Sequence, residues 1–143
     1  MAKNIIYRII WQTHLRRKLR RSKERYRRIK KKSNTLEYAK YKNAAQNLVE
    51  NKIGYFNDFY KFNVNKITIK NQKTRWGSCS RKGNLNFNYR LALLPEYLSD
   101  YIIVHELCHL GELNHSPKFW DLVAKTIPHY KKIKREFKKI RLS

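Results

Sequence analysis

The stretch Pro95-Glu-Tyr-Leu-Ser-Asp-Tyr-Ile-Ile-Val-His105-Glu-Leu-Cys-His109-Leu110 decides how this chain is read. Proline at a first-turn position, where its missing N–H costs nothing, and Glu96 beside the positive end predict a helix that opens at Pro95 and runs to about Leu110. Tyr97, Leu98, Tyr101, Ile102, Ile103, Val104, Leu107, Cys108 and Leu110 leave it almost no polar face, so it has to be covered on most sides. His105, Glu106 and His109 interrupt that apolar surface. Burying such groups unpaired costs about 1–3 kcal/mol each, so something must compensate them.

Their spacing says what. Residues four apart on a helix lie about 40° from one another, so His105 and His109 can share one ion. Glu106, one position on from His105, falls outside that ligand set and instead reaches a water on the ion as general base. His115 is the candidate third ligand. On a continuous helix it would point away from the pair, but Gly111 is expected to end the helix in a left-handed turn and fold the chain back. Glu112 is its rival, on the same face as both histidines if the helix continues through Gly111. The structural alternatives are two core histidines bonded to backbone, and a surface-loop histidine at 115. Three protein ligands plus water would make an open catalytic zinc site rather than a closed structural one, and imidazoles favour zinc. The metzincin pattern is excluded, because glycine stands at 111 rather than 112 and Met1 is the sole methionine, leaving none for a Met-turn.

Around this helix the pattern is α+β. Tyr38, Tyr41, Ala45, Leu48, Val49, Ile53 and Phe56 recur at three and four and predict a helix over 36–60, weakened near its end by Gly54. Val64, Ile67 and Ile69 suggest a short strand. Leu85, Phe87, Tyr89, Leu91 and Leu93 alternate with Asn86, Asn88, Arg90 and Ala92, as in a half-buried strand. Ser80 to Asn84 supply the Gly and Asn of a hairpin connection, so a small antiparallel sheet is expected over 64–93, packed against the buried helix. Ser116-Pro117 read as the N-cap and first position of a further helix running to Ile127. A basic amphipathic helix follows, with Tyr130, Ile133, Phe137 and Ile140 on one face.

The 143 residues suit one domain with one core. Lys and Arg number 34 against 10 Asp and Glu, a formal charge of +24, of which residues 1–34 carry +13. Those residues read as a basic arm or helix before a domain over 35–143, with nucleic acid, ribosomes or another polyanion as a possible partner. Cys79 and Cys108 are too few for a disulfide framework and predict a reduced, cytoplasmic protein. The apolar residues near the N-terminus are interrupted by Tyr7 and Arg8, and predict neither a signal peptide nor a membrane span.

Four segments together resemble a known family: Arg75-Trp76-Gly77-Ser78-Cys79-Ser80, Gly83-Asn84-Leu85, Val104 to Leu110, and Asn114-His115-Ser116-Pro117-Lys118-Phe119-Trp120. They look like the YgjP-like metallopeptidases, related to the SprT-like and minigluzincin zinc proteins, over about residues 36–140. The resemblance implies His105, His109 and His115 as zinc ligands, Glu106 as the catalytic residue, and a small antiparallel sheet against the zinc helix. It also implies an N-terminal β-rich segment that the basic stretch 1–34 replaces here. Zinc peptidases align an extended substrate against an edge strand, so Arg75, Trp76, Gly77, Ser78, Asn88 and Arg90 are the candidate substrate-binding residues. Trp76 as core and Gly77 as a bulge are the structural alternatives. Arg90 or Tyr89 would be the oxyanion stabiliser. Besides a peptidase, the same site could serve a nucleoside triphosphate pyrophosphatase, or belong to a nucleic-acid- or ribosome-associated protein with a peptidase-like domain.

Overall fold

A computed structural model describes residues 34–140 and Leu142, and the chain from Tyr38 onward forms one compact unit. The basic arm expected over 1–34 lies, apart from residue 34, outside the described residues. Helix α1 covers residues 34–60 and buries the expected stripe of Ala45, Val49, Ile53 and Phe56, with Tyr38 and Tyr41 packed alongside. It runs straight through Gly54 and ends at Lys61, whose φ of 58° is left-handed and whose N–H still reaches the Asn57 carbonyl at 2.7 Å. Asn57 then clamps the turn from both sides: its Oδ1 accepts from the Phe62 N–H at 2.8 Å and its Nδ2 donates to the Phe62 carbonyl at 2.9 Å.

Three strands follow: β1 (Lys66–Lys70), β2 (Gly77–Cys79) and β3 (Asn84–Asn88). The sheet is mixed, not wholly antiparallel, with order β1-β3-β2. The 80–84 connection is the hairpin that the sequence promises, with Gly83 at φ 78°, but it joins β2 to β3. Residues 71–76 carry the chain across to the far edge first, so β3 returns between the other two and runs parallel to β1, Lys66 opposite Asn84 through Lys70 opposite Asn88. The most buried strand thereby takes the centre, with Leu85 and Phe87 fully buried.

The strand expected to reach Leu93 stops at Asn88, and Tyr89–Leu93 form a 3-10 helix. Asn88 is the cause. Its Oδ1 accepts from the Arg90 N–H at 3.1 Å, which turns the backbone, while Nδ2 donates to the carbonyls of Gln72 at 2.7 Å and Arg75 at 3.1 Å. The alternation in burial survives the change of backbone, because Tyr89 and Leu91 remain fully buried.

Helix α2 (Glu96–Cys108) packs on the sheet, α3 (Pro117–Thr126) packs on α2, and α4 (Tyr130–Phe137) follows; α2 and α3 match the expected helices to within a residue or two, and α4 stops three residues short of Ile140. Only Glu96, Tyr97, Asp100 and His105 escape full burial along α2. Lys52 of α1 bonds Glu96 and lies 3.0 Å from Asp100 of α2, and the Tyr60 hydroxyl donates to the Leu122 carbonyl of α3 at 2.7 Å. No helix among the described residues is long and apolar enough to cross a membrane.

Asn88 thus closes three hydrogen bonds inside the protein. Asn88→Ala leaves two carbonyls and an N–H unpaired there, and is expected to lower unfolding stability by about 2–4 kcal/mol in urea titrations.

Candidate metal centre

The last turn of α2 presents His105, and His109 follows at its C-cap in helical conformation. Their rings lie 4.9 Å apart between centroids, and the His115 ring completes a near-equilateral triangle, 4.9 Å from His105 and 4.8 Å from His109. One ring nitrogen from each falls within 4.8 Å of the others, and the Nε2 atoms of His105 and His115 are 3.0 Å apart. Nitrogens on a tetrahedral zinc stand about 3.3 Å apart at ordinary bond lengths, so a small adjustment of the rings would let this donor set hold a cation of that kind. The outer ring nitrogen of His109 also fits: Nδ1 lies 3.0 Å from the Glu112 carbonyl, and donating a proton there leaves Nε2 with its lone pair free. Glu112 enters through its backbone and is absent from the cluster of candidate ligands, which is made of His105, His109 and His115.

The bend that returns His115 differs from the expected one. Gly111 is not in the left-handed region; α2 ends in tight turns, with Leu110 N–H bonded to the Leu107 carbonyl at 3.0 Å and Glu112 N–H to the Cys108 carbonyl at 3.0 Å. Space requires the glycine instead. A Cβ there would meet the Phe62 ring at 2.7 Å and Leu122 at 3.1 Å. Beyond it, Asn114 Oδ1 accepts from the Ser116 N–H at 3.0 Å, and Ser116 Oγ caps α3 through the Phe119 N–H at 3.4 Å.

Phe119 and Trp120, read from the sequence as helix positions and family signature with no role at the site, pack against the imidazoles. Phe119 is fully buried under the triad, stacked on His109 at 4.5 Å with its edge to His105 and His115. Trp120 stacks on His115 at 5.7 Å and on Tyr130 at 5.1 Å, with Lys134 Nζ 3.8 Å from its ring centre. His115 and Trp120 occupy the positions before the N-cap and four into the helix, where a pair of apolar residues fixes the angle of chain entry. That spacing was the available signal.

Burial, aided by the neighbouring His109, His115 and Lys134, pushes His105 down to about 3, so its imidazole is neutral at physiological pH. Burial, then His109 and Lys134, lowers His115 as well. Glu106 follows His105 in the chain and lines a pocket with it. Burial pushes its carboxyl up to about 8, against the opposing pull of Arg75. It fits there because residue 77 has no side chain: a Cβ on Gly77 would come within 2.6 Å of Glu106 Cγ and 2.8 Å of Oε1. Cys79 is near Glu106, and burial with that carboxylate pushes its thiol up to about 11, too high for thiolate chemistry. A pocket of about 180 Å³ opens beside Glu106 and His105, between α2 and the approach to β2.

Residues 6–140 match the family profile described as YgjP-like, metallopeptidase domain. The chain belongs to the YgjP-like metallopeptidase family. The match starts well before residue 36, so much of the stretch 1–34, read as replacing a family segment, falls inside the family domain. Among solved structures, the YgjP-like chain is similar to the metallopeptidase zymogen abylysin of Pyrococcus abyssi, at 28% identity and TM-score 0.57, covering 64% of this chain and 94% of that one. It is also similar to the zymogen jannalysin of Methanocaldococcus jannaschii, at 26% identity and TM-score 0.53, covering 66% and 94%. No curated protein matches it.

Of the candidate substrate-binding residues of this YgjP-like domain, Arg75, Trp76 and Gly77 line the pocket beside Glu106. Ser78, on edge strand β2, accepts from Asn86 Nδ2 at 3.3 Å. Asn88 is fully buried with its amide committed to the 71–76 segment and Arg90, and the Arg90 guanidinium lies 4.8 Å over the Tyr89 ring. Tyr89, offered as an oxyanion stabiliser, is itself fully buried.

Gly77→Ala is the direct check on this packing. The added methyl is expected to displace the Glu106 carboxylate, visible in a crystal structure of the variant, and to cost about 1–3 kcal/mol in thermal or urea unfolding.

Proposed function

We propose that this YgjP-like domain is a zinc-dependent peptidase in which His105, His109 and His115 hold the metal and Glu106 is the general base. One observation carries the reading: three imidazoles, set on a helix end and the loop after it, gather within reach of one ion, and the desolvated carboxylate next to His105 in the chain lines a pocket with it. Zinc at that point would supply Lewis acidity, polarising a peptide carbonyl and making water easier to deprotonate.

The chain's own residues do the rest. Glu106 takes a proton from the attacking water on a carboxylate oxygen and returns it to the departing amine nitrogen, so the carboxylate is regenerated each cycle. Its burial suits this, because a desolvated carboxylate holds a proton more tightly than a solvated one. Strand β2 is the edge of the sheet nearest Glu106, and an extended substrate can align along it by backbone hydrogen bonds. The nucleic-acid reading rests on residues 1–34, and nothing in the described residues supports it.

Purified protein is expected to carry about one zinc per chain by metal analysis, and His115→Ala to lose it. Glu106→Gln should keep the metal while losing at least about a hundredfold in peptide turnover. Undiminished turnover in that variant would remove Glu106 from the chemistry.

Metal binding should also move a proton. At pH 7 a carboxyl with a pKa of about 8 is mostly protonated, whereas His105 is already neutral. A cation beside Glu106 favours its ionised form, so zinc binding below pH 8 should expel a proton from it, and the effect should fade as pH rises past 8. Calorimetric titration in buffers of different ionisation enthalpy should show more protons released by the wild type than by Glu106→Gln.

A further inference from the structure

We infer that the pocket beside Glu106 receives one bulky apolar side chain of the substrate, next to the scissile bond, and so makes this a peptidase selective for residues of the leucine, methionine or phenylalanine kind. The inference rests on the peptidase reading above and deepens it.

The pocket is walled by Trp76, Tyr101, Ile102 and Phe137, and shares His105 and Glu106 with the metal centre. Whatever fills it therefore lies against the groups that would do the chemistry. Its walls are held open rather than collapsed. The Phe137 ring meets Trp76 edge-on at 5.8 Å and Tyr101 edge-on at 5.9 Å, contacts that fix the spacing of three rings. The Trp76 backbone is tied to the sheet by the Asn88 N–H, 2.8 Å from its carbonyl, so this wall does not depend on side-chain packing alone. Trp76 and Phe137 stay only half-buried, although both are large rings packed against the core.

Size and polarity select the occupant. At about 180 Å³ the pocket is small beside the roughly 300–1,000 Å³ that encloses a whole drug-sized ligand, and it suits a single side chain. The charged groups at the pocket are Arg75, whose side chain is solvent-exposed, and Glu106, which the reaction needs. A charged side chain of either sign would meet one like charge there, Arg75 or the ionised Glu106, and would give up hydration to enter. An apolar side chain displaces water from the rings and leaves both charges undisturbed. Phe137 comes from α4, none of whose residues is fully buried, so one wall is built by the last helix rather than by the sheet and α2.

The test uses the full chain loaded with zinc and a set of peptides identical except for Ala, Leu, Phe, Asp or Lys at the positions flanking the cut. On one side of the bond, kcat/KM for Leu or Phe should exceed that for Ala by tenfold or more, as expected for added methylenes in a fitted apolar pocket, with Asp and Lys at or below Ala. Phe137→Ala should enlarge the pocket and raise the ratio of Phe to Leu cleavage. As a measurement independent of turnover, equilibrium binding of the same peptides to Glu106→Gln should follow the same order. Cleavage of all five peptides at similar rates, or a preference for Asp or Lys, overturns the pocket assignment and leaves the peptidase reading standing. Cleavage of none of them by the zinc-loaded wild type overturns both.

Discussion

A helix buried along most of its length has to be enclosed, and α2 beyond its first turn is such a helix; the rest of the structure is organised around that need. The sheet covers one flank, α1 and α3 cover others, and Lys52 and Tyr60 bind these shells to one another at their edges. Enclosure sets the electrostatics of the centre too. His105 and Glu106 stand where water is scarce, so each is driven toward its neutral form, and a cation is the economical way to satisfy both. The same apolar surroundings that stabilise the fold therefore prepare the site.

Much of this was legible in the sequence. The helical stripe of α1, the apolar circumference of α2, the cap at Ser116-Pro117 and the spacing of His105 and His109 are local patterns, and local patterns survive folding. The mixed pairing of the sheet was not legible. Whether β1 neighbours β3 or β2 depends on where residues 71–76 carry the chain, and that path is fixed by the Asn88 amide, a long-range contact with no periodic signature. Asn88 also shows how burial and backbone can part company. The alternation Leu85, Phe87, Tyr89, Leu91 correctly marks the buried set, while a side-chain hydrogen bond converts its second half into a 3-10 turn.

The site was legible in its residue types and less so in its supports. The grouping of His115 with His105 and His109 follows from spacing, but Gly111 serves through its lack of bulk against Phe62 rather than through a left-handed backbone, and a sequence does not distinguish the two uses of glycine. Nor did Asn88 reveal that its polar groups serve the interior. Alternation predicts which face a side chain takes, not what already occupies that face. Phe119 and Trp120 fix the rotation of the imidazoles through ring contacts, work that in many metal sites falls to carboxylates and carbonyls.

The hydrogen that stands for a side chain at Gly77 has a wider bearing. Two segments far apart in the chain interlock at that atom, one from the sheet margin and one from the central helix, and they leave no slack for a methyl group. Drift at this position cannot be gradual. A descendant with any larger residue there must first shift its strand or surrender the carboxylate's berth, so among distant copies of the domain the presence of glycine at this point should separate intact centres from decayed ones.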